Sequence, residues 1–175
     1  MTTLQKDEGA PSGMPAGETV VRRGNEGEAV WFMGGLYEIK ATSAETNGEM
    51  SIIRISFAPG GSSPPHIHDC GETMFILDGS LRVYRGEDQE PVDLGPGDLV
   101  YFPKGTLEWA ENNSDTVTHA LAIYSPGGMD EFFAEAGKPA AKRELPLASD
   151  EAFDEKKLEE IAARHGLEVR PKATD

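Results

Sequence analysis

Turn-forming residues interrupt this chain at short intervals, and that spacing limits what it can fold into. The interruptions are Gly34-Gly35, Asn47-Gly48, Pro59-Gly60-Gly61, Asp78-Gly79-Ser80, Gly95-Pro96-Gly97 and Asn112-Asn113-Ser114-Asp115. Between them lie apolar or alternating runs at Ala29–Met33, Leu36–Ala41, Met50–Phe57, Thr73–Leu77, Leu81–Arg85, Leu99–Phe102, Leu107–Asn112 and Val117–Tyr124. Such runs are too short for a helical bundle and are typical of antiparallel strands. The sequence predicts an all-β domain, with a hairpin at Asp78-Gly79.

The C-terminal part of the sequence has a different pattern. Met129–Ala136 is a predicted short helix, and Asp150–His165 is a second one with Leu158, Ile161, Ala162 and His165 on one face. Ser149 or Asp150 could cap its start, and Gly166 could end it. We therefore divide the chain into a flexible N-terminal arm (1–17), a β-barrel (18–127) and a C-terminal helical tail (128–175).

The charge balance excludes several classes of partner. Lys and Arg number 16 against 31 Asp and Glu, which leaves a net charge of −15 at neutral pH. Nucleic acid and anionic membranes would both repel such a chain. No apolar run is long enough to span a bilayer. With Cys70 as the single cysteine and no export signal, we expect a cytoplasmic protein.

A cluster of metal-ligand residues stands out in the Pro- and Gly-rich stretch after residue 57. His66 and His68 are two apart, so on an extended chain both imidazoles point to the same side. Glu72 opens the next β-like run and can bring a carboxylate to the same point. Two imidazoles and one carboxylate leave positions open on a divalent ion, which suits catalysis better than a closed structural site.

The spacing around these residues resembles the two signature motifs of the cupin superfamily. The first motif corresponds to Gly60, His66, His68, Glu72 and Gly79, and the second to Gly97, Pro103, Gly105, position 108 and Asn112. Shorter sequence segments, including Pro126-Gly127-Gly128 and Ala162–Glu168, are similar to segments of small bacterial cupins of the quercetin-dioxygenase-like group. The resemblance implies a single antiparallel cupin β-barrel of jelly-roll type with C-terminal helices, and one divalent ion: iron, manganese, nickel or zinc.

The second motif departs from the family at one position, where Glu108 replaces the usual histidine ligand. Its strand parity matches Ala110 and Asn112, so Glu108 should point into the barrel. It could act as a fourth ligand beside His66, His68 and Glu72, or as a general base. A carboxylate aimed at the same point as Glu72 would repel it unless a cation or proton lay between them. That argument favours ligation.

Two further residues are candidates for the site. His119 shares strand parity with Leu121 and Ile123, which look core-facing, so it could point into the barrel and serve as a catalytic acid or base or as a ligand. Its alternative is a half-buried strand histidine with a backbone partner. Cys70 lies between the motif residues, and we interpret it as a small loop residue. Catalytic roles are thus predicted for Glu72, Glu108 and His119.

Three functions are compatible with these residues. The resemblance implies a metal-dependent dioxygenase, quercetinase-like, acting on a small aromatic or enolisable substrate. A non-redox metal enzyme (an isomerase, dehydratase or polyketide cyclase) is the second hypothesis, and a small-molecule binding protein without catalysis is the third. The resemblance also implies a homodimer, because small cupins usually pair.

Overall fold

The computed structural model describes residues 18–86, 90–147 and 155–171. The N-terminal arm predicted for residues 1–17 and the predicted helix cap at Ser149 or Asp150 lie outside them. The strands, in chain order, are β1 (Ala29–Phe32), β2 (Gly35–Ala41), β3 (Ser51–Phe57), β4 (His66–His68), β5 (Gly71–Asp78), β6 (Leu81–Arg85), β7 (Val92–Leu94), β8 (Leu99–Phe102), β9 (Leu107–Glu111), β10 (Thr118–Ser125), β11 (Lys138–Pro139) and β12 (Leu167–Val169). The helices are α1 (Met129–Ala136) and α2 (Glu155–Arg164).

The strands form two antiparallel sheets. The larger has seven strands in the order β11-β1-β2-β3-β10-β5-β8, and the smaller has five in the order β12-β4-β9-β6-β7. Side chains alternate along a strand, so each sheet places one row of apolar side chains between the sheets. On β10 that row is Thr118, Ala120, Ala122 and Tyr124, all buried. The fold is the predicted jelly roll, built as two sheets facing each other.

The predicted hairpin at Asp78-Gly79 is wrong. β5 pairs with β8 and β10, whereas β6 pairs with β7 and β9, so the turn carries the chain from one sheet to the other. Thr118 fixes this crossing, because its hydroxyl donates to the carbonyl oxygen of Ser80 (2.6 Å) and accepts from the Ser80 amide (3.1 Å). A Cβ at Gly79, whose φ is 82°, would lie 2.6 Å from Thr118 Oγ1. The crossing therefore requires glycine.

The C-terminal helices pack beside the sheets and help to enclose the interior. Phe132 and Phe133 of α1 are buried against Phe32 and Tyr37, with ring centroids 4.6–5.7 Å apart. On α2 the predicted face of Leu158, Ile161 and Ala162 is buried. The same segment also supplies β11 and β12, which extend one edge of each sheet. No helix among the described residues has the length and apolar character needed to cross a membrane.

Candidate metal centre

Strand β4 supplies the two histidines of the site. It is three residues long, so His66 and His68 project from the same face, towards the larger sheet. His66 Nδ1 lies 2.7 Å from the carbonyl oxygen of Pro64 and donates to it in the tautomer that leaves Nε2 as the free acceptor. The two Nε2 atoms converge to 3.0 Å from each other. Both imidazoles thus present a ring nitrogen to one point.

Two carboxylates complete this cluster from different sheets. Glu72 lies near the start of β5, and its Oε2 is 3.1 Å from His68 Nε2. Glu108 lies on β9 directly across from His66, and its Oε1 is 3.8 Å from His68 Nε2. One ligand atom from each of the four residues falls within 4.8 Å of all the others. The four residues predicted to bind metal are therefore brought together.

The electrostatics of the cluster favour an added positive charge. Burial raises the pKa of Glu108 to about 10, and the nearby charge of Glu72 adds to that rise. Burial would also raise the pKa of Glu72, but the adjacent imidazole of His68 outweighs it and lowers that pKa. Burial and the neighbouring His68 lower the pKa of His66 to about 4, so this ring is neutral and able to bind a metal.

One polar atom in the cluster has no partner. Among the described residues, Oε2 of Glu108 is fully buried and has no hydrogen bond, and the residue as a whole is only 3% exposed. A buried carboxylate oxygen without a donor is costly, because it has lost its water and gained nothing in return. A divalent cation would supply the missing interaction and separate the charges of Glu72 and Glu108. The residues present therefore fit a metal ion.

The cluster lines a small cavity between the sheets, of about 70 Å³. Apolar and aromatic side chains from both sheets and both helices form most of its wall. They include Phe32, Tyr37, Ile55, Phe57, Met74, Phe102, Tyr124, Phe132, Phe133, Leu158, Leu167 and Val169. An apolar lining with a few converging polar groups is typical of a site for a small organic molecule.

Tyr124 is a site residue that the sequence analysis missed. It is 3% exposed on β10, lies directly across from Glu72, and its hydroxyl interacts with that carboxylate. Its ring centroid is 5.4 Å from that of His68. Burial and the charge of Glu72 raise the pKa of Tyr124 well above its ordinary value, so it stays a proton donor. The sequence feature that could have identified Tyr124 is its even spacing from Ala120 and Ala122, because residues at even spacing on a strand point to the same side, here the interior.

The predicted inward orientation of His119 is wrong. Leu121 and Ile123, which share its parity, are only half-buried, while Ala120 and Ala122 are fully buried. His119 therefore lies on the outer face of the larger sheet, where its Nδ1 is 2.9 Å from Ser56 Oγ. The physical reason is the alternation along β10, which places Thr118, Ala120, Ala122 and Tyr124 inside and therefore the residues between them outside. His119 does not line the cavity.

Cys70 lies close to the cluster but outside it. Its side chain is buried, and burial together with the charges of Glu72 and Glu108 raises the pKa of its thiol to about 11. A protonated thiol is a poor metal ligand. The interpretation of Cys70 as a small structural residue agrees with this environment.

Part of this sequence matches a known family model and a group of known proteins. Residues 53–124 match the family model described as "Cupin domain". A germin-like protein of Arabidopsis thaliana, subfamily 2 member 1, is 35% identical over 80 residues, which is 43% of this chain. That match spans only 36% of the germin-like protein's own length.

Solved structures share the fold at low sequence identity. A crystal structure of an RmlC-like cupin from Shewanella frigidimarina has a TM-score of 0.56 and 19% identity, covering 65% of this chain and 96% of that one. The polyketide cyclase RemF from Streptomyces resistomycificus has a TM-score of 0.51 and 16% identity, covering 76% and 88%. At these identities the likeness concerns the fold alone.

Proposed function

We propose that this chain, whose residues 53–124 form a domain of the cupin superfamily, is a metal-dependent dioxygenase acting on a small aromatic or enolisable substrate. The observation that carries the proposal is the placement of four metal-ligand side chains, His66, His68, Glu72 and Glu108, at the wall of an apolar, aromatic-lined cavity. Membership of the quercetin-dioxygenase-like group is part of the proposal.

The donor set indicates which ions the site would take. Two imidazole nitrogens and two carboxylate oxygens suit manganese, iron, nickel or zinc, whereas the absence of a thiolate from the set disfavours soft ions. A divalent ion bound there would act as a Lewis acid on an oxygen of the substrate and, if redox-active, would also support chemistry with O₂. Four protein ligands leave positions open on an ion that prefers six.

The chain's own residues would do three things for such a reaction. The aromatic wall excludes water from the substrate's ring and strengthens polar interactions at the cluster. Glu72, held by His68 and Tyr124, stays in place as a ligand. If Glu108 does not bind the ion, its Oε2, which accepts no hydrogen bond, can accept a proton from a substrate hydroxyl, and the ion keeps three protein ligands.

A specific observation also favours the non-redox alternative. Glu108 lies at the cavity wall, its Oε1 3.8 Å from His68 Nε2, and burial raises its pKa to about 10. A buried carboxyl group with a raised pKa can take up and return a proton, which is what an isomerase, dehydratase or cyclase requires of a group beside its metal ion. Such an enzyme would use the same cavity without O₂.

The test compares metals and atmospheres on one preparation. Protein purified without chelator is analysed for bound metal, then reloaded with Fe²⁺, Mn²⁺, Ni²⁺ or Zn²⁺ and offered catechols and other small enolisable compounds. The proposed dioxygenase consumes O₂ with at least one of these ions and is inactive without oxygen. Turnover in the absence of O₂, supported by Zn²⁺, would establish the non-redox enzyme instead. Binding without turnover under any condition would leave a ligand-binding protein.

A further inference from the structure

Tyr37 is a buried phenol that lines the cavity and that the proposed reaction does not use. It lies on β2, is 7% exposed, and pairs with Ile55 of β3, which lines the same cavity. Its ring packs on that of Phe133 of α1, with centroids 4.6 Å apart, and meets Phe32 edge-on at 5.5 Å. Because these contacts hold the ring, they also fix the position of its hydroxyl.

The hydroxyl of Tyr37 has no hydrogen-bond partner within the part of the chain that the structure describes. A polar group that has left water without gaining a partner is destabilising, so such groups are uncommon in protein interiors. Where one occurs in the lining of a cavity, a ligand can supply the missing acceptor.

The polar neighbours of Tyr37 in the cavity lining have partners of their own. The hydroxyl of Tyr124 bonds to the carboxylate of Glu72. Ser63 Oγ accepts a hydrogen bond from the Ala110 amide at 3.0 Å. These two hydroxyls are thus engaged by the protein, whereas that of Tyr37 is not.

Trp109 also lines the cavity and has a donor, Nε1, without a partner among the described residues. It alternates on β9 with Glu108 and Ala110, which are buried inside, so it lies at an outward position. Its ring stacks on that of Tyr84, with centroids 4.5 Å apart, and Nε1 is fully buried. In the described lining, Tyr37 is therefore the inward-facing donor that is left for a ligand.

The surroundings of Tyr37 keep its hydroxyl a donor. Burial and the charge of Glu72 both raise the pKa of Tyr37, so the phenol stays protonated and offers its hydrogen to an acceptor. Phe133 packs against the rings of both Tyr37 and Tyr124, with centroids 4.6 and 6.2 Å away. The two phenols thus serve different positions, with Tyr124 at the cluster and Tyr37 apart from it.

We infer that Tyr37 is a substrate-binding residue whose hydroxyl donates a hydrogen bond to a second oxygen of the substrate, while the first oxygen is directed at the cluster. The substrate class is then a small aromatic or enolisable compound with two oxygens, the second a hydroxyl or a carbonyl. The role of the first oxygen rests on the proposed function, whereas the role of the second rests on Tyr37. Two anchors orient the substrate, which one anchor alone would leave free to rotate.

The test is calorimetry on Zn²⁺-loaded protein with four probes. Phenol has one oxygen, and catechol, resorcinol and hydroquinone add a second at increasing distance. We expect the wild type to bind at least one of these three about tenfold more tightly than phenol, the size of effect that one hydrogen bond gives. Tyr37→Phe keeps the ring and removes only the hydroxyl, so this advantage should vanish while phenol binding changes little.

Tyr101→Phe is the matched control, because it makes the same change at a tyrosine that is 59% exposed and does not line the cavity. It should keep the advantage of the second oxygen. Thermal melting separates a ligand role from a structural one. Since the Tyr37 hydroxyl has no partner in the protein, Tyr37→Phe should melt at or above the wild-type temperature, whereas loss of a structural hydrogen bond would lower it.

Three results would overturn the inference: an advantage that survives Tyr37→Phe, binding of all three two-oxygen probes no tighter than that of phenol, or a lowered melting temperature in Tyr37→Phe. Failure of the wild type to bind Zn²⁺ would instead contradict the proposed function. The same four probes titrated against metal-free protein would then still test whether Tyr37 donates to the second oxygen.

Discussion

Glu108 is the residue at which the ligand and base hypotheses give opposite results. Glu108→Gln keeps the shape of the side chain and removes its charge. If Glu108 is a ligand, affinity for Mn²⁺ or Zn²⁺ should fall at least tenfold, because a neutral amide oxygen is a weaker donor than a carboxylate. Isothermal titration of the metal-free variant measures this directly.

The companion variant Glu108→His restores the residue that the second motif usually carries, and we expect it to keep one metal per chain. If Glu108 is a base instead, Glu108→Gln should bind metal as the wild type does and lose turnover. Normal metal content with normal turnover would mean that Glu108 has neither role.

The histidines of β4 should account for most of the metal affinity. Replacing both His66 and His68 with alanine leaves two carboxylates, which is too few ligands for stable binding. Metal content by mass spectrometry should fall from one per chain to near zero. Added Zn²⁺ should raise the melting temperature of the wild type but not of the double variant, since an ion that binds only the folded state stabilises it. Stoichiometric metal in the double variant would contradict the assignment.

The difference between His119 and Tyr124 shows what residue patterns could and could not predict at the site. The spacing of His66, His68 and Glu72 indicated a shared ligand point, whereas the place of Glu108 beside them was implied by the resemblance to the second cupin motif; all four lie together. The orientation of β10 was not predictable in this way. Its larger apolar residues, Leu121 and Ile123, lie outside, and apolar size alone does not identify the inner face.

At the scale of elements, a buried carboxylate connects strands of the larger sheet to the segment that follows β11. Glu38 on β2 is 1% exposed. It accepts hydrogen bonds from Arg54 of β3 (2.5 Å) and from Arg143, beyond β11 (2.7 Å), with Lys40 at 3.2 Å. Burial alone would raise the pKa of Glu38, but these three cations outweigh burial and lower it.

The lowered pKa of Glu38 predicts how the free energy of unfolding changes in acid. A carboxylate whose folded pKa is depressed contributes stability that is present above its unfolded value, about 4.5, and that is lost as the pH falls through the folded value. Urea unfolding between pH 7 and pH 3 should therefore show a decline below about pH 4.5. Glu38→Gln should be less stable at pH 7 by about 2 kcal/mol and should show a smaller decline. An identical pH profile in the variant would contradict the role of Glu38.

Element prediction succeeded where the runs were long and failed where they were short. Every predicted strand and the helix Met129–Ala136 are present. The missed strands β4, β7, β11 and β12 have two or three residues, too few for an alternating pattern to be recognised. β12 is the instructive case, because its place beside β4 depends on a partner a hundred residues away in sequence. Local pattern carries no information about such pairing.

At the scale of the whole molecule, the homodimer remains a prediction, and β8 offers a surface for it. β8 is an edge strand of the larger sheet, and it exposes Leu99 (57%) and Tyr101 (59%) beside Leu77. Two copies of an antiparallel edge can pair about a twofold axis. Light scattering at tens of micromolar should give twice 18.9 kDa, and Tyr101→Lys should shift the mass towards the monomer.

The net charge of each copy sets the salt dependence of that association. Two chains that each carry −15 repel one another at low ionic strength. Added salt screens this repulsion, so the dimer should strengthen between about 0.01 and 0.15 M salt, over which the screening length falls from roughly 30 to 8 Å. A dimer that weakens as salt is added would instead be held by opposite charges.

The pairing of β4 with β12 also has a consequence for how the protein is made. β4 ends at His68, and its outer neighbour β12 begins only at Leu167. At ribosomal rates of about 5–20 residues per second, the interval between their synthesis is on the order of 5–20 s. During that time the nascent histidine strand has at least one bare edge, and the cavity lacks Leu167 and Val169 from its lining. The four cluster residues are all synthesised by residue 108, whereas the cavity beside them is completed only at the late stage of biosynthesis.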